Sequence, residues 1–295
     1  MTARIIDGRE VASKVHQEVA AGVEEYRKLN GGVPGLTAVL IGDDPASHSY
    51  VRGKERACEK VGINTDTIRR DASITQEELI GIVEDLNDDP KVHGILVQLP
   101  LPEHLDEAGV IHAIDPMKDV DGLHPENAGL LVLGKPRFAP ATPLGVQRML
   151  IEENVEMKGA RVVIVGRSKL VGMPLALLLL QKGPGANSTV TVCHTGTKDI
   201  AAETRRADVL IVAAGMPGTI TADMVNAGAV VIDVGISRVD DPTRKHGYRL
   251  TGDVEFDRVS EVASAISPVP GGVGPVTIAM LLVNVLHAAN LATSH

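Results

Sequence analysis

Tyr50 and Lys54 are the residues in this sequence whose types and spacing most directly suggest chemistry. They lie four positions apart in SHSYVRGKERA (47–57), where Arg, Lys, Glu and Ala favour a helix. Side chains at positions i and i+4 share one helix face, so a flat phenol ring and an amine would project side by side. Such a pair could stack on a flat substrate and carry a proton. The alternative interpretation of Tyr50 is an ordinary core residue.

Gln98 and Asp121 are two further polar residues placed where ligands commonly bind. Gln98 closes the apolar stretch GILVQLP (94–100), and Asp121 lies in KDVDG (118–122), within a long predicted loop at 115–129. Parallel sheets bind ligands at the carboxyl ends of their strands, and long loops in compact domains tend to be functional. A strand-end hydrogen bond for Gln98 and a turn for Asp121 are the structural alternatives.

The segment VVIVGRSKLVGMP (162–174) predicts a nucleotide-binding turn. Gly166 lies where a buried strand gives way to a helix, and at such turns backbone N–H groups and the positive helix end face a pyrophosphate. The usual GxGxxG spacing is absent, because Ser168 follows Gly166 by two positions and Gly172 follows it by six. Packing of strand, turn and helix without a ligand is therefore the alternative interpretation.

The residues beside this turn favour NADP over NAD. NAD-binding folds commonly carry Asp or Glu for the ribose hydroxyls about 20 residues after the glycine turn. Here His194 lies 22 residues after Gly172, and no acidic residue stands at that strand end. Arg167 and Lys169 flank the turn, so a 2′-phosphate would be attracted rather than repelled.

Apolar periodicity predicts two alternating series of strands and helices. The predicted strands lie at 36–42, 65–71 and 94–100 in the first series, and at 160–166, 188–194, 207–215 and 229–235 in the second. Helices are predicted after Asp7, over 47–61, from the capping box of Thr75 and Glu78 to near Asp88, and near 106–114. A linking helix at 141–150 marks a domain boundary, and the glycine-rich stretch 268–275 leads into a final helix. This order predicts parallel sheets in a two-domain α/β fold.

Composition restricts the class of protein further. Of 295 residues, 44% are hydrophobic and 23% charged, as in soluble globular proteins, and the net charge of -9 argues against a nucleic acid partner. Cys58 and Cys193 form no metal-spaced pattern, which indicates reduced, cytosolic thiols and no metal site. The start, MTARIIDGRE, lacks an apolar signal core. The apolar stretches 175–180 and 276–292 predict buried helices, so we expect no membrane association.

One motif is a poor match to the phosphate-binding loop of nucleotide hydrolases. GLLVLGKP (129–136) fits the pattern GxxxxGK, but Pro136 replaces the Ser or Thr that would bind magnesium, and Leu and Val fill the variable positions. We therefore predict a strand and a turn in this segment, without a phosphate site.

Eight short motifs occur in the order and spacing of one enzyme family: SHSYVRGK, QLPLP, KDVDGLHP, ATPLG, GRSKLVGMP, VIDVG, GDV and PVPGGVGP. Over essentially its whole length, the chain resembles the methylenetetrahydrofolate dehydrogenase/cyclohydrolase family. The resemblance implies an N-terminal three-layer α/β catalytic domain over 1–143, which binds folate and which the C-terminal helix 275–295 completes. It also implies a Rossmann-type NADP-binding domain over 144–274, an active site in the cleft between the domains, and a homodimer.

The same resemblance implies two activities on tetrahydrofolate derivatives. The first is NADP-dependent oxidation of 5,10-methylenetetrahydrofolate to 5,10-methenyltetrahydrofolate, and the second is hydrolysis of that product to 10-formyltetrahydrofolate. The implied setting is cytoplasmic one-carbon metabolism, including purine biosynthesis. A dehydrogenase with little cyclohydrolase activity and a non-catalytic regulator that binds pyridine nucleotides are the alternatives. The presence of both Lys54 and Gln98 favours two activities.

Motif by motif, the resemblance assigns roles to individual residues. Tyr50 stacks on the substrate rings, Lys54 is the general acid/base, Gln98 hydrogen-bonds near Lys54, and Asp121 holds the pterin edge. The other implied substrate-binding residues are Leu99, Pro268, Gly271 and Gly272. The implied cofactor-binding residues are Gly166, Arg167, Ser168, Gly172, His194, Thr195, Gly215, Gly235, Ile236 and Gly272, of which Arg167 and Ser168 address the phosphates.

One departure from the family pattern concerns the cofactor. Many relatives have Arg immediately after the His of the second cofactor strand, whereas this chain has Thr195, followed by Gly196 and Thr197. Arg167 would then hold the 2′-phosphate largely alone. NADP remains the expected cofactor, with NAD as a weaker alternative.

Overall fold

The computed structural model of the chain describes residues 2–244 and 247–293. Met1, Lys245, His246 and the last two residues of the predicted final helix, Ser294 and His295, lie outside this description. The chain forms two compact units. The three-stranded unit comprises Ser13–Ala141 and Ile278–His295, and the six-stranded unit comprises Met1–Ala12 and Thr142–Thr277.

Strands and helices alternate along most of the described chain. The strands are Arg4–Ile5 (β1), Gly35–Ile41 (β2), Asn64–Arg70 (β3), Gly94–Val97 (β4), Arg161–Val165 (β5), Thr189–Cys193 (β6), Val209–Val212 (β7), Val230–Asp233 (β8), Ser237–Asp240 (β9), Tyr248–Thr251 (β10) and Ala265–Ile266 (β11). The α-helices are Gly8–Asn30 (α1), Pro45–Val61 (α2), Gln76–Asp88 (α3), Glu107–Ala113 (α4), Pro125–Val132 (α5), Ala141–Glu152 (α6), Gly172–Leu180 (α7), Ile200–Thr204 (α8), Phe256–Val259 (α9) and Val273–Ala292 (α10). The two-domain α/β fold expected from the sequence is confirmed.

The three-stranded unit has a parallel sheet in the order β3-β2-β4. All seven residues of β2 are buried, as its unbroken apolar sequence predicts. The capping box at the start of α3 is confirmed, since the Thr75 side chain accepts the Glu78 N–H and the Glu78 carboxylate accepts the Thr75 N–H. At the start of α2, Asp44 accepts the N–H of Ser47 at 2.8 Å and Pro45 occupies the first turn. These local signals fix where α2 begins.

The six-stranded unit has a parallel sheet in the order β1-β11-β8-β7-β5-β6. Its four longer strands are those predicted, but β1 and β11 have two residues each and carry no readable periodicity. The expected domain bounds placed all of residues 1–143 in one domain. Instead, β1 belongs to the sheet of the six-stranded unit, since Arg4 pairs with Ala265 and Ile5 with Ile266. The antiparallel pair β9 and β10 was likewise not predicted.

The strand predicted in GLLVLGKP is wrong, because the first half of this segment, 129–132, belongs to α5, whereas the predicted turn is present at 133–134. His124 caps the helix by accepting the Glu126 N–H at its Nδ1 atom, 3.1 Å away, and Pro125 occupies the first helical turn. Gly134, with φ of 70°, follows the helix end. The predicted loop at 115–129 is therefore shorter than expected, since its last residues are helical.

The apolar helix α10 is long and apolar enough to cross a membrane by length and composition alone. Half of its most apolar window is buried inside the protein, and core helices pass the same test. Cys58 and Cys193 are free and buried, and burial raises the pKa of the Cys58 thiol to about 12. Across residues 2–244 and 247–293, no group of three or more His, Cys, Asp or Glu side chains could hold a metal ion.

Candidate active site

Helix α2 carries Tyr50 and Lys54, and it begins just after the carboxyl end of β2. The prediction that this stretch is helical is confirmed, so the two side chains project from the same face. The Tyr50 side chain is exposed (41%), whereas Lys54 is half-buried. Because its ring is exposed, Tyr50 is not an ordinary core residue.

Lys54 and Gln98 are joined directly by a hydrogen bond. The Lys54 Nζ atom donates to Gln98 Oε1 at 3.1 Å, and the Gln98 Nε2 atom donates to the carbonyl of Leu99 at 2.8 Å. The Gln98 backbone N–H bonds to the Val39 carbonyl, which continues the sheet beyond β4. The glutamine amide thus has both of its polar atoms engaged, with its oxygen facing the lysine. The resemblance implies a contact between Gln98 and Lys54, and the structure contains it.

Lys54 and Asp121 influence each other's ionisation. Burial lowers the pKa of the Lys54 ammonium, and the Asp121 carboxylate partly opposes this decrease. Burial raises the pKa of Asp121, while Lys54 lowers it and Asp119 raises it. Although each residue as a whole is half-buried, its charged group is enclosed by the protein. The site therefore holds an amine that loses its proton more readily than an exposed lysine.

The turn that carries Asp121 is held by hydrogen bonds to the buried carboxylate of Asp119. Asp119 is 1% exposed, and its Oδ2 atom accepts the His124 N–H and the Asn127 Nδ2 amide, each at 2.8 Å. Its Oδ1 atom accepts the Leu123 N–H at 3.2 Å. Only three residues lie between Asp119 and Leu123, so these bonds close the DVDG segment into a defined turn.

A second clamp on this turn comes from the last helix. Asn284 of α10 is buried, and its Nδ2 atom donates to the carbonyls of Val120 at 2.7 Å and Ala139 at 3.0 Å. Gly122 has φ of 67°, and a Cβ atom there would lie 2.9 Å from the Ala139 carbonyl carbon. Sequence reasoning missed Asn284. The available signal was an amide within the apolar stretch LLVNVL (281–286), which predicts a buried hydrogen-bonded side chain.

In the six-stranded unit, β5 leads through the Gly166 turn into α7. Gly166 has φ of 128°, and a Cβ atom there would overlap the Ala213 carbonyl. A Cβ atom on Gly172 would overlap the Gly166 carbonyl, so the helix start packs against the turn. No side chain caps α7 at Val171, while Arg167 and Ser168 are exposed beside it. These features fit a pyrophosphate at the helix N-terminus.

The turn after β6 is braced by its own side chains. The His194 N–H donates to Thr197 Oγ1 at 2.9 Å, and the Gly196 N–H donates to His194 Nδ1 at 3.0 Å. Thr195 is exposed at the tip of this turn. The Thr195 side chain is short and uncharged, so it adds no positive charge at this turn.

The predicted site residues fall into two groups, each at the carboxyl edge of one sheet. The three-stranded unit holds Tyr50, Lys54, Gln98, Leu99 and Asp121. The six-stranded unit holds Gly166, Arg167, Ser168, Gly172, His194, Thr195, Gly215, Gly235, Ile236, Pro268, Gly271 and Gly272. Both groups lie beyond the carboxyl ends of parallel strands, which is where open α/β sheets bind ligands.

Two protein-family models match the chain. The catalytic domain model of tetrahydrofolate dehydrogenase/cyclohydrolase matches residues 6–121. The NAD(P)-binding domain model of the same family matches residues 140–293, which is more than half of the chain. The two matches cover the two groups of site residues separately.

Similar proteins span the whole chain. The "Bifunctional protein FolD" of Salinibacter ruber is 55% identical over 293 residues, which cover 99% of this chain and 98% of that protein. The solved bifunctional methylenetetrahydrofolate dehydrogenase/cyclohydrolase of Campylobacter jejuni is 43% identical, with a TM-score of 0.91 and coverage of 98% of this chain and 99% of that one. The Trypanosoma brucei enzyme, solved with NADP cofactor and an inhibitor, is 40% identical with a TM-score of 0.95, and both chains are covered completely.

Proposed function

Because this chain belongs to the tetrahydrofolate dehydrogenase/cyclohydrolase family, we propose that the Lys54, Gln98 and Asp121 group performs that family's folate chemistry here. The chain is a bifunctional enzyme that oxidises 5,10-methylenetetrahydrofolate with NADP and hydrolyses the methenyl product to 10-formyltetrahydrofolate. The observation that carries the residue assignment is the Lys54 Nζ to Gln98 Oε1 hydrogen bond beside the Asp121 carboxylate. The proposed folate-binding region is 1–143 with 275–295, of which residues 1–12 belong to the six-stranded unit, and the proposed NADP-binding region is 144–274.

The oxidation step requires alignment more than it requires acid or base chemistry. NADP, when bound, supplies the acceptor for the hydride that leaves the bridging methylene group. The protein must hold the flat pterin ring in a reactive orientation. Tyr50 offers an exposed ring for stacking, and Asp121, fixed by its clamped turn, accepts hydrogen bonds from the pterin edge.

The hydrolysis step requires proton transfer, and Lys54 supplies it. Water adds to the methenyl carbon and loses one proton, which leaves a neutral carbinolamine. The ring C–N bond then breaks as its nitrogen is protonated, and the hydroxyl proton leaves as the formyl C=O forms, so that one proton is released overall. A lysine whose pKa burial has lowered can take the first proton as a neutral amine and return it to the nitrogen. Gln98 Oε1 accepts a hydrogen bond from the Lys54 Nζ atom. This bond orients the amine, so that its lone pair or its remaining protons point toward the substrate.

The turn between β5 and α7 is the proposed phosphate site for NADP. The N-terminal N–H groups of α7 face the pyrophosphate, and Arg167 and Ser168 contact the phosphates. The glycines of PGGVG, including Gly271 and Gly272, allow close approach of backbone to the ligand rings. NAD is a weaker substitute, since Thr195 adds no charge.

Arg167→Ala should weaken NADP use selectively. Loss of a charged hydrogen bond to the 2′-phosphate predicts a KM for NADP raised about tenfold or more, with the KM for NAD changed by less than about twofold. Steady-state dehydrogenase assays with each cofactor measure both values. Arg161→Ala, at the opposite end of β5, is the matched control and should leave both KM values unchanged. Equal increases for NADP and NAD would contradict the phosphate role.

Tyr50→Ser should weaken folate binding by about three- to tenfold, because an aromatic stacking contact contributes about 0.5–1.5 kcal/mol. Equilibrium binding of a folate substrate, followed by ligand fluorescence, measures the Kd. Tyr50→Phe is the matched variant, since it keeps the ring and loses only the hydroxyl group. Stacking predicts a Kd near that of the unaltered chain for Tyr50→Phe, and equal losses in both variants would point to the hydroxyl instead.

We also propose a cytoplasmic homodimer that serves one-carbon metabolism and purine biosynthesis, on the resemblance to the family alone. The net charge of -9 supports a small-molecule enzyme without a nucleic acid partner. No membrane partner is proposed, because α10 contributes its buried half to the core. A dehydrogenase with little cyclohydrolase activity is disfavoured by the intact Lys54 and Gln98 pair.

A further inference from the structure

Two buried carboxylates in the six-stranded unit take no part in the proposed chemistry. Asp233 ends β8 and is 3% exposed, and Asp253, which follows β10, is 0% exposed. Burial of a charged group without compensation is costly, so each carboxylate requires an explanation. Their hydrogen bonds lead to the loops that carry proposed cofactor residues.

Asp233 links three chain segments through backbone groups. Its Oδ1 atom accepts the N–H groups of Gly235 and Asp253, each at 3.0 Å, and its Oδ2 atom accepts the Val254 N–H at 3.0 Å. Its own N–H donates to the hydroxyl of Ser267, just beyond β11, at 2.8 Å. Asp233 therefore holds the segment around Asp253 against the carboxyl ends of β8 and β11.

Asp253 in turn holds the loop that follows β7. Its Oδ2 atom accepts the Gly215 N–H at 2.7 Å. Burial raises the pKa of Asp253, and the N–H group of Gly215, with smaller effects from those of Ala214 and Met216, opposes this rise. Its Oδ1 atom is buried and has no hydrogen-bond partner among the described residues. The Asp253 carboxylate thus holds the Gly215 N–H directly, at the centre of the loop 214–216.

The packing around both carboxylates leaves no room for larger residues. A Cβ atom on Gly235 would lie within 2.6 Å of three atoms of the Asp253 carboxyl group. A Cβ atom on Gly252 would overlap the Asp233 Oδ2 atom. The glycines of VIDVG and GDV are therefore required by the carboxylates that they face. The two motifs act as one packed unit.

We propose that Asp253, held in place by Asp233, is a positioning residue that fixes the Gly215 and Gly235 loops in the conformation that binds the nicotinamide cofactor. This inference rests on the proposed function and on the family resemblance, which implies that Gly215, Gly235 and Ile236 bind NADP. Asp253 acts through these loops, since its Oδ2 atom accepts the Gly215 N–H and its Oδ1 atom is buried. It adds a determinant of cofactor affinity beyond the phosphate-binding turn.

A role in stability alone would not require this arrangement. In a protein interior, apolar residues of similar volume commonly give a stability equal to that given by buried charged groups. Here the carboxylates bond to loop N–H groups beyond the ends of β7 and β8, where strand pairing no longer constrains the backbone. Fixing these loops before the cofactor arrives reduces the entropy lost on binding.

The test measures the Kd for NADP and the amide hydrogen exchange of segment 213–217 without cofactor. Asp253→Ala removes the acceptor and should raise the Kd on the order of tenfold. Asp253→Asn keeps an oxygen acceptor but loses the stronger bonds that a carboxylate accepts, so we expect about a threefold rise and faster exchange in 213–217. Asp257→Ala, an exposed carboxylate in α9, is the matched control and should change neither quantity.

Hydrolysis of methenyltetrahydrofolate without any nicotinamide should remain within about twofold of the unaltered rate in Asp253→Asn, which separates positioning from general damage. Unchanged NADP affinity in both Asp253 variants would overturn the inference, and if Asp253→Ala does not fold, Asp253→Asn decides alone. Failure of the unaltered chain to bind NADP would contradict the proposed function. The exchange measurement needs no cofactor, so it tests the inference independently of the proposed function. Equal amide exchange of 213–217 in Asp253→Asn and in the unaltered chain would overturn the inference.

Discussion

Lys54→Met is expected to lower the rate of methenyltetrahydrofolate hydrolysis by about 10²- to 10⁴-fold, because it removes the proposed proton carrier. Methionine keeps much of the length of the lysine side chain and cannot accept a proton. NADP binding should be unchanged, since the proposed cofactor residues belong to the other unit. Loss of methenyl absorbance measures hydrolysis, and calorimetric titration measures the Kd for NADP.

Lys60→Met is the matched control for this variant. Lys60 lies on the same helix, α2, but it is exposed, so its loss removes the same charge without touching Gln98 or Asp121. The control should hydrolyse the methenyl substrate at the unaltered rate. A Lys54→Met protein that hydrolyses as fast as this control would reject the assigned role.

Asp121→Asn is expected to have the second largest effect, with the Kd for folate raised by about 10- to 100-fold. A hydrogen bond to a charged group contributes about 1.5–3 kcal/mol, and the pterin would lose its charged acceptor. The same change removes the carboxylate that raises the pKa of Lys54. Since the neutral amine is the active base, the rising limb of the hydrolysis pH profile should move to lower pH.

Asp85→Asn, an exposed position on α3, is the control for Asp121→Asn. It should leave the folate Kd and the pH profile as they are. A movement of the profile to higher pH in Asp121→Asn would mean that the carboxylate does not stabilise the lysine ammonium. An unchanged folate Kd would remove the pterin contact from the account.

Much of the fold follows from local sequence signals. The apolar strands β2, β4, β5 and β7 have nearly every residue buried, so their composition identifies them. The capping box at Thr75 likewise fixes a helix start within a few residues. In contrast, two-residue strands such as β1 depend on partners more than two hundred residues away. No window of sequence contains that information.

The site was likewise predicted only where local signals or the family resemblance identified its residues. Tyr50 and Lys54 share a helix face by spacing alone, and the resemblance to a family supplied Gln98 and Asp121 as their neighbours. The residues that hold the site could not be found this way. Asn284 reaches a carbonyl 164 residues away, and Asp253 reaches an amide 38 residues away. The wrong strand in GLLVLGKP arose because the cap formed by His124 was not recognised.

The most direct test of the account follows both products of the unaltered chain in one reaction with methylenetetrahydrofolate and NADP. Reduced nicotinamide and the methenyl product are recorded separately over time. The account predicts that reduced nicotinamide accumulates while the methenyl product stays low, because the same chain hydrolyses it to 10-formyltetrahydrofolate. A methenyl product that accumulates in step with reduced nicotinamide and decays only at its uncatalysed rate would contradict the assignment of Lys54 and Gln98.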